Sequence, residues 1–195
     1  MDERSKKAHM FTASNFTLDN IELPPARKIN RQGQARALTL ENLVDIFAVL
    51  PSEKWLAVFA IAYFTGSRIS EVLSLDVGDI AADRISFRRE NTKTKKARVA
   101  VLVESLKPFL VAYEAPTSGY LFPSHHNARR MGHLSPQAAD KVLRDACDMI
   151  GLDGVSTHSF RRSFATNLHK AGTSLAQIAR LLGHSSASMT ARYVE

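Results

Sequence analysis

The sequence predicts a mainly α-helical fold that includes one small antiparallel β-sheet. Apolar residues recur at helical spacing over most of the chain, which is typical of helices packed on a core. The period changes to alternation in residues 84–89 and again in a β-rich run at 98–103, which indicates two short strands. The length of 195 residues suffices for one well-filled domain and is short for two.

The first part of the predicted domain holds three helices. Thr39 is placed to cap the first of them, because apolar residues at helical spacing follow it and Pro51 ends the pattern. Residues 53–64 are apolar on most sides, which predicts a buried helix that Gly66 closes. Residues 68–75 form a third, short helix, and the two strands come next as a hairpin with a basic tip.

Helices dominate after the strands. The predicted helices are residues 104–113, a helix from Pro136 to about Ile150 after a Ser135 cap, residues 158–170 after a Thr157 cap, a helix to Leu182 after Thr173 or Ser174, and a last one after Ser186 or Ser188. On one of them the apolar stripe of Phe160, Phe164 and Leu168 is interpreted as core rather than as a base-stacking surface.

The composition is that of an ordinary globular protein. Hydrophobic residues make up 45% of the chain and charged residues 23%, which argues against global disorder. The longest apolar run, residues 55–64, falls short of the roughly 20 residues of a membrane span, and residues 1–10 lack the apolar core of a secretion signal. Cys147 is the single cysteine, so a disulfide within the chain is excluded and a reducing cytoplasmic location is expected.

The charge favours a polyanionic partner. The chain has 26 lysines and arginines and 19 acidic residues, which gives a formal net charge of +7. Seven of these cations lie within residues 84–98 beside one acidic residue, Glu90, so the hairpin is expected to face phosphates. Residues 1–36 hold seven more and show no sustained period, which predicts a flexible basic arm, or a mere tail, before a folded domain at 37–195.

Candidate chemistry lies at helix ends and at the hairpin tip. The candidates are Arg68 at a helix start, Lys93 at the tip, His158 and Arg161 on one helical turn, His184 after a helix-ending glycine, and Tyr193 on the last segment. Guanidiniums clamp phosphate bidentately, histidines donate hydrogen bonds and move protons, a lysine protonates a leaving alkoxide, and a tyrosine serves as a covalent nucleophile. We see no carboxylate cluster suited to Mg²⁺, so the hypothesis is attack on a phosphodiester with no metal and no cofactor.

The motifs around these residues resemble the catalytic domain of the tyrosine recombinase, or phage integrase, family. The matching segments are TGSRISEVLSL (65–75), TKTKKARVAVL (92–102), THSFRRSFATNL (157–168), IARLLGHSS (178–186) and MTARYVE (189–195). Their order and spacing agree with the family, including the nine residues from His184 to Tyr193. The resemblance implies the DNA breaking-rejoining fold.

The resemblance also implies a role for each residue. Arg68 matches the first catalytic arginine, Glu71 the acidic residue that orients the site, and Lys93 the hairpin lysine that acts as general acid. His158 and Arg161 match the His-x-x-Arg pair, His184 the later histidine or tryptophan, and Tyr193 the nucleophile. Lys95 and Lys96 are rivals for the general-acid role.

The implied reaction is exchange of DNA strands. The tyrosine forms a 3′-phosphotyrosyl link, frees a 5′-hydroxyl and needs no ATP because the ester retains the bond energy. Relatives act on double-stranded DNA as a synaptic tetramer. The expected DNA contacts here are Lys95, Lys96, Arg98, Arg129 and Arg130. His125, His126 and His133 lie close in sequence, but a basic loop near DNA is favoured over a metal site.

Two departures from the family leave alternatives open. At most 36 residues precede the expected catalytic region, where relatives carry a clamp domain, and two residues follow Tyr193, where many relatives carry a docking helix. We therefore expect tetramer docking to be altered. The alternatives to a recombinase are a non-catalytic DNA-binding regulator or competitor, and a nicking-closing activity like that of type IB topoisomerases.

Overall fold

The computed structural model describes residues 34–92, 95–124 and 132–194. The predictions for the basic arm up to residue 33, for Lys93, and for Arg129 and Arg130 lie outside the described residues. No helix within the described ranges is long and apolar enough to cross a membrane.

Eight α-helices and one two-stranded antiparallel sheet make up the described part of the chain. In chain order they are α1 (Leu40–Val49), α2 (Glu53–Thr65), α3 (Ile69–Leu73), β1 (Arg84–Phe87), β2 (Arg98–Val101), α4 (Lys107–Tyr113), α5 (Pro136–Met149), α6 (Thr157–Lys170), α7 (Leu175–Leu182) and α8 (Ala187–Val194). Single 3₁₀ turns lie at Val77–Asp79, Arg89–Asn91 and Glu104–Leu106. The predicted mainly helical class is confirmed.

Most predicted helix ends agree with the structure, with one correction. Thr39 caps α1 through its side-chain oxygen, which accepts from the Asn42 amide at 3.0 Å. The predicted Thr157 cap of α6 is wrong: Ser156 has the extended backbone of a cap, whereas Thr157 is already helical. The hydroxyl of Ser159 accepts the Ser156 amide at 3.1 Å, which fixes this start one residue earlier.

The hairpin is shorter than predicted. β1 and β2 pair antiparallel from Arg84 opposite Val101 to Phe87 opposite Arg98. The residues expected to extend β1 turn instead into the 3₁₀ segment Arg89–Asn91. One face of the sheet is buried through alternate side chains, among them Phe87, because successive residues of a strand point to opposite sides.

The main core is built around α2, which is buried on nearly every side. Phe59 of α2 stacks on Phe160 of α6, with ring centroids 5.0 Å apart. A smaller apolar cluster continues along α6, where Phe164 and Leu168 pack with α7 and α8. The interpretation of the Phe160, Phe164 and Leu168 stripe as core is therefore confirmed, and this stripe holds the last two helices against the body of the domain.

Candidate active site

Arg68 is held in place by an acidic residue one helical turn further on. It occupies the cap position before α3, with an extended backbone. Its Nη1 donates to Oε1 of Glu71 at 2.8 Å, and its amide donates to Oε2 at 3.1 Å. The Glu71 side chain is 2% exposed and that of Arg68 17%. The carboxylate therefore fixes the guanidinium at the mouth of the site while leaving part of it open.

Arg98 lies on the inner side of the hairpin. Its Nη2 donates to Ser67 Oγ at 2.6 Å and lies 3.3 Å from Oε2 of Glu71, and its Nη1 donates to the Leu181 carbonyl at 3.0 Å. Burial lowers the pKa of Arg98, and the charge of Glu71 opposes that shift. We expected Arg98 to face DNA from the hairpin surface. With a side chain that is 9% exposed, it braces the Arg68 turn and the end of α7 instead.

Arg161 is the most deeply placed cation of the site. Its side chain is 1% exposed. Nη1 donates to the Gly66 carbonyl at 2.7 Å and Nη2 to the Leu182 carbonyl at 2.8 Å. Burial, and next the positive charge of Arg68, lower the pKa of Arg161 to about 10, so it stays protonated near neutral pH. Its Nε is buried without a hydrogen-bond partner among the described residues.

His184 directly follows the glycine that ends α7. Its Nδ1 lies 2.8 Å from the hydroxyl of Thr190. Its Nε2 is buried and meets no hydrogen-bond partner in the described part of the chain. Burial, followed by the charges of Arg161 and Arg68, lowers the pKa of His184 to about 4, so the imidazole is neutral at pH 7. A neutral ring serves here as a hydrogen-bond donor or acceptor rather than as a cation.

Tyr193 lies against the arginine and histidine of its own chain. Its ring centroid is 5.1 Å from that of His184 and 5.9 Å from the guanidinium carbon of Arg161. The Thr166 hydroxyl donates to the Tyr193 carbonyl at 3.0 Å and so ties α8 to α6. The structure thus brings together Arg68, Arg161, His184 and Tyr193 from four separate sequence motifs.

Two cavities adjoin this cluster. One of about 250 Å³ is lined by Arg68, Glu71, Lys96, Arg98, Arg180 and His184. The other, of about 500 Å³, has His158, Arg162, Arg192 and Tyr193 in its wall. The smaller cavity is the place where an anion would meet several positive groups at once.

The remaining predicted residues differ in position. His158 is exposed at the start of α6, in the wall of the larger cavity beside Tyr193. Lys96 is exposed and lines the smaller cavity. The Lys95 ammonium donates to the Glu90 carbonyl of its own hairpin at 3.3 Å. His133 Nδ1 lies 2.8 Å from the Leu134 carbonyl oxygen. The other two histidines of the metal alternative, His125 and His126, lie outside the described residues.

Three residues at the site were missed by sequence reasoning. Arg180 lies one turn before His184 in the wall of the smaller cavity, and helical spacing would have revealed it. Arg162 is buried, bonded to Gln34 Oε1 and, at 3.5 Å, to the Arg192 carbonyl. No feature of the sequence other than its position in the last motif indicated that Thr190 belongs to the site.

The fold is that of a tyrosine recombinase catalytic domain, and comparisons with known proteins show the family. The family model described as "Phage integrase family" matches residues 36–195, so the chain belongs to that family. The chain is 33% identical over 129 residues to the probable integrase/recombinase YoeC of Bacillus subtilis (strain 168), which covers 65% of this chain and 69% of that protein. It is 35% identical over 146 residues to the tyrosine recombinase XerD of Mycobacterium leprae (strain TN), covering 70% of this chain and 46% of XerD.

Structural similarity supports the same fold. The crystal structure of the XerH site-specific recombinase bound to its difH substrate, a pre-cleavage complex, superposes with a TM-score of 0.63 at 24% identity. The match covers 86% of this chain and 52% of that one. The chain therefore spans about half the length of XerD and of XerH.

Proposed function

We propose that the protein is a site-specific DNA recombinase that breaks and rejoins DNA strands through Tyr193. The observation that carries this proposal is the position of the phenol ring, 5.9 Å from the Arg161 guanidinium carbon and 5.1 Å from the His184 ring within the same chain. A tyrosine that served only to pack would not require a buried guanidinium and a polar imidazole beside its ring.

Each bond change has a residue to support it. The Tyr193 oxygen attacks a backbone phosphorus, a bond from that oxygen to phosphorus forms, and the bond from phosphorus to the 5′-oxygen breaks. His158, in the wall of the cavity that contains Tyr193, takes the phenolic proton. Lys93 gives a proton to the leaving 5′-oxygen, and Lys96 is the alternative donor because it lines the smaller cavity. A 5′-hydroxyl of a second strand then reverses these steps.

The transition state gains negative charge on the non-bridging oxygens of the phosphate. Arg68 and Arg161 supply fixed positive charge there, and Glu71 and the Gly66 carbonyl hold them in place before substrate arrives. Removal of one preorganised donor of this kind typically lowers the rate about a hundredfold or more. The protein needs no metal ion for this stabilisation, since the cations belong to its own side chains.

The proposed partner is double-stranded DNA, with self-association on the recombination site. The basic hairpin, together with Arg129 and Arg130, is proposed to contact the phosphate backbone. Such contacts position the protein on the duplex without reading its sequence.

The test is capture of the covalent intermediate. The protein is incubated with a nicked substrate whose short 5′-hydroxyl fragment diffuses away after cleavage, and the products are separated on a denaturing gel. Wild-type protein is expected to yield a protein-DNA adduct that Tyr193→Phe does not form. Wild-type protein that binds the DNA but forms no adduct would make it a non-catalytic binder.

A nicking-closing activity is the second candidate, and one observation favours it. Tyr193 lies in the site of its own chain, so a single copy has the parts required to cleave and reseal one strand. Relaxation of supercoiled plasmid at high dilution, with no recombinant product, would identify this activity.

A further inference from the structure

The His184 imidazole has two nitrogens in very different surroundings. Nδ1 lies 2.8 Å from the Thr190 hydroxyl oxygen. Nε2 is buried and has no hydrogen-bond partner among the described residues, although His184 lines the small cavity that holds Arg68. A neutral imidazole carries one proton, so one nitrogen donates and the other accepts, and the hydrogen bond at one nitrogen decides the state of the other.

The burial of Thr190 decides the direction of this hydrogen bond. Its side chain is fully buried. Within the described ranges, Nδ1 of His184 is the one acceptor that the Thr190 hydroxyl meets. If Nδ1 carried the proton, the buried hydroxyl proton would have no partner whether or not an anion is bound. A proton on Nε2 also lacks a partner in the free protein, but His184 lines the small cavity, where an anion that enters can accept it. This difference favours donation from Thr190 to Nδ1 and a ring proton on Nε2.

The proton on Nε2 matters because of where that nitrogen lies. Arg68 and His184 line the same cavity, in which an anionic oxygen would be surrounded by donors. A protonated Nε2 gives such an oxygen a further hydrogen bond, whereas an unprotonated Nε2 presents a lone pair to a negative charge. Burial, followed by the charges of Arg161 and Arg68, lowers the pKa of His184 and keeps the ring neutral near pH 7. The position of its single proton is then the one property of the ring that its hydrogen bond has to fix.

Thr190 also connects the imidazole to the tyrosine. It lies on α8, one helical turn before Tyr193. The same helix is held from α6 by the hydrogen bond from Thr166 to the Tyr193 carbonyl. One buried hydroxyl thus couples the orientation of the ring to the placement of the helix that carries the phenol.

We propose that Thr190 is a positioning residue that holds His184 in its Nε2-protonated tautomer and fixes the ring to the Tyr193 helix. Its effect on DNA cleavage rests on the proposed function, whereas its effect on the tautomer does not. Loss of the hydroxyl with little change in shape is expected to let the ring adopt both tautomers and to slow cleavage about tenfold, the lower end of the loss seen when a residue that orients a metal-bound histidine is changed.

The first experiment is a histidine ¹H–¹⁵N correlation spectrum of the ¹⁵N-labelled full chain without DNA at pH 7. Nitrogen shifts distinguish the two neutral tautomers, and the His184 signals are those that disappear in His184→Gln. Wild type is expected to show Nε2 protonated. Thr190→Val is expected to shift the signals towards a tautomer mixture, and Thr190→Ser, which restores a hydroxyl, is expected to resemble wild type.

Two results would overturn the proposal: a wild-type ring protonated at Nδ1, or a Thr190→Val spectrum identical to that of wild type. If Thr190→Val does not fold, the wild-type and Thr190→Ser spectra still decide, since both must show Nε2 protonated. Cleavage rates on the nicked substrate are then compared among soluble variants with matched thermal midpoints. Cleavage by Thr190→Val as fast as by wild type would contradict the positioning role.

The spectrum separates this proposal from the proposed function. An Nε2-protonated ring in wild type that is lost in Thr190→Val supports the assignment of the hydrogen bond even if no variant forms a DNA adduct. In that case the recombinase proposal fails and the assignment of the tautomer stands.

Discussion

Glu71 joins two arginines of different elements through its two carboxylate oxygens. Oε1 accepts from Arg68 at 2.8 Å, and Oε2 lies 3.3 Å from Nη2 of Arg98. The carboxylate is buried and both guanidiniums are mostly covered, so the single negative charge offsets part of the positive charge of the two arginines. The sequence motif that contains Arg68 is thereby attached to the strand that follows the hairpin tip.

Replacing Glu71 by Gln is expected to destabilise the fold by about 3 kcal/mol, because it leaves two mostly covered guanidiniums without their counter-charge. Urea unfolding measures this change. The matched control is Glu104→Gln, whose side chain is 86% exposed and pairs with Lys107 at 2.6 Å. An exposed pair contributes under about 1 kcal/mol, so equal losses in the two variants would contradict the bracing role of Glu71.

Arg98→Lys separates bracing from DNA contact. A lysine cannot reproduce the bonds to Ser67 and Leu181 at the same time, so stability and cleavage rate are expected to fall. The salt dependence of DNA binding is expected to stay unchanged, because the charge remains and the group is buried. Lys96→Gln is the control. The slope of its log binding constant for DNA against log salt concentration should decrease in magnitude by about 1. A decrease of similar size in an Arg98→Met variant would indicate that Arg98 contacts phosphate directly.

Gly66→Ala tests the close packing beneath the arginines. Gly66 has φ 62°, and a Cβ there would lie 2.7 Å from Cδ2 of Leu182. Gly151→Ala is a matched control, since its φ of 66° is similar and no atom lies within 4 Å of the added carbon. Both variants incur the strain of a left-handed backbone, but only Gly66→Ala must also displace the side chains of Phe164 and Leu182. We expect Gly66→Ala to lower the free energy of unfolding by about 2 kcal/mol more than Gly151→Ala does, measured by thermal or urea unfolding. Gly66→Ala is also expected to cleave DNA more slowly, because the carbonyl of residue 66 holds Arg161. Equal losses would show that the space around Gly66 can relax.

Protonation of His184 is expected to lower the free energy of unfolding in mild acid. Its folded pKa, lowered by burial and then by Arg161 and Arg68, is about 4, below the 6.5 of an ordinary histidine. The unfolded chain therefore binds more protons between these two values, so stability is complete above about pH 6.5 and decreases as pH falls towards 4. One group changes the free energy of unfolding by at most about 1.4 kcal/mol per pH unit.

The measurement is urea unfolding of wild type and His184→Gln across this pH range. The variant should lose less stability in acid than wild type. The control is His169→Gln, at the exposed end of α6, which should follow the wild-type curve. Parallel curves for wild type and His184→Gln would show that this ring does not control the acid response.

The order of the helices and strands was predictable because particular residue types mark where the helices begin and end. Gly66 and Gly183 adopt the left-handed backbone that ends α2 and α7, and Thr39 and Ser135 cap α1 and α5. These signals act within a few residues of sequence. The convergence of Arg68, Arg161, His184 and Tyr193 was expected from the spacing of motifs in the family that the chain resembles.

Side-chain direction was less predictable from sequence. Charge density indicated that the hairpin is basic, but it did not reveal that Arg98 lies inward over the Phe87 ring at 4.3 Å while Lys96 faces outward. The contact of Thr190 with His184 joins two residues whose pairing depends on how α8 folds back on α7. The roles of the site residues remain proposals that the experiments above address.

The most direct test of the central claim is to identify the amino acid that is linked to DNA. The adduct from the nicked substrate is digested with protease and nuclease, and the peptide that carries the remaining nucleotide is sequenced by mass spectrometry. The chain has four tyrosines, and the hydroxyls of Tyr63 and Tyr113 are already hydrogen-bonded to Asn167 and the Leu121 carbonyl. The account predicts the nucleotide on Tyr193; an adduct on any other residue, or an undiminished adduct in Tyr193→Phe, would contradict it.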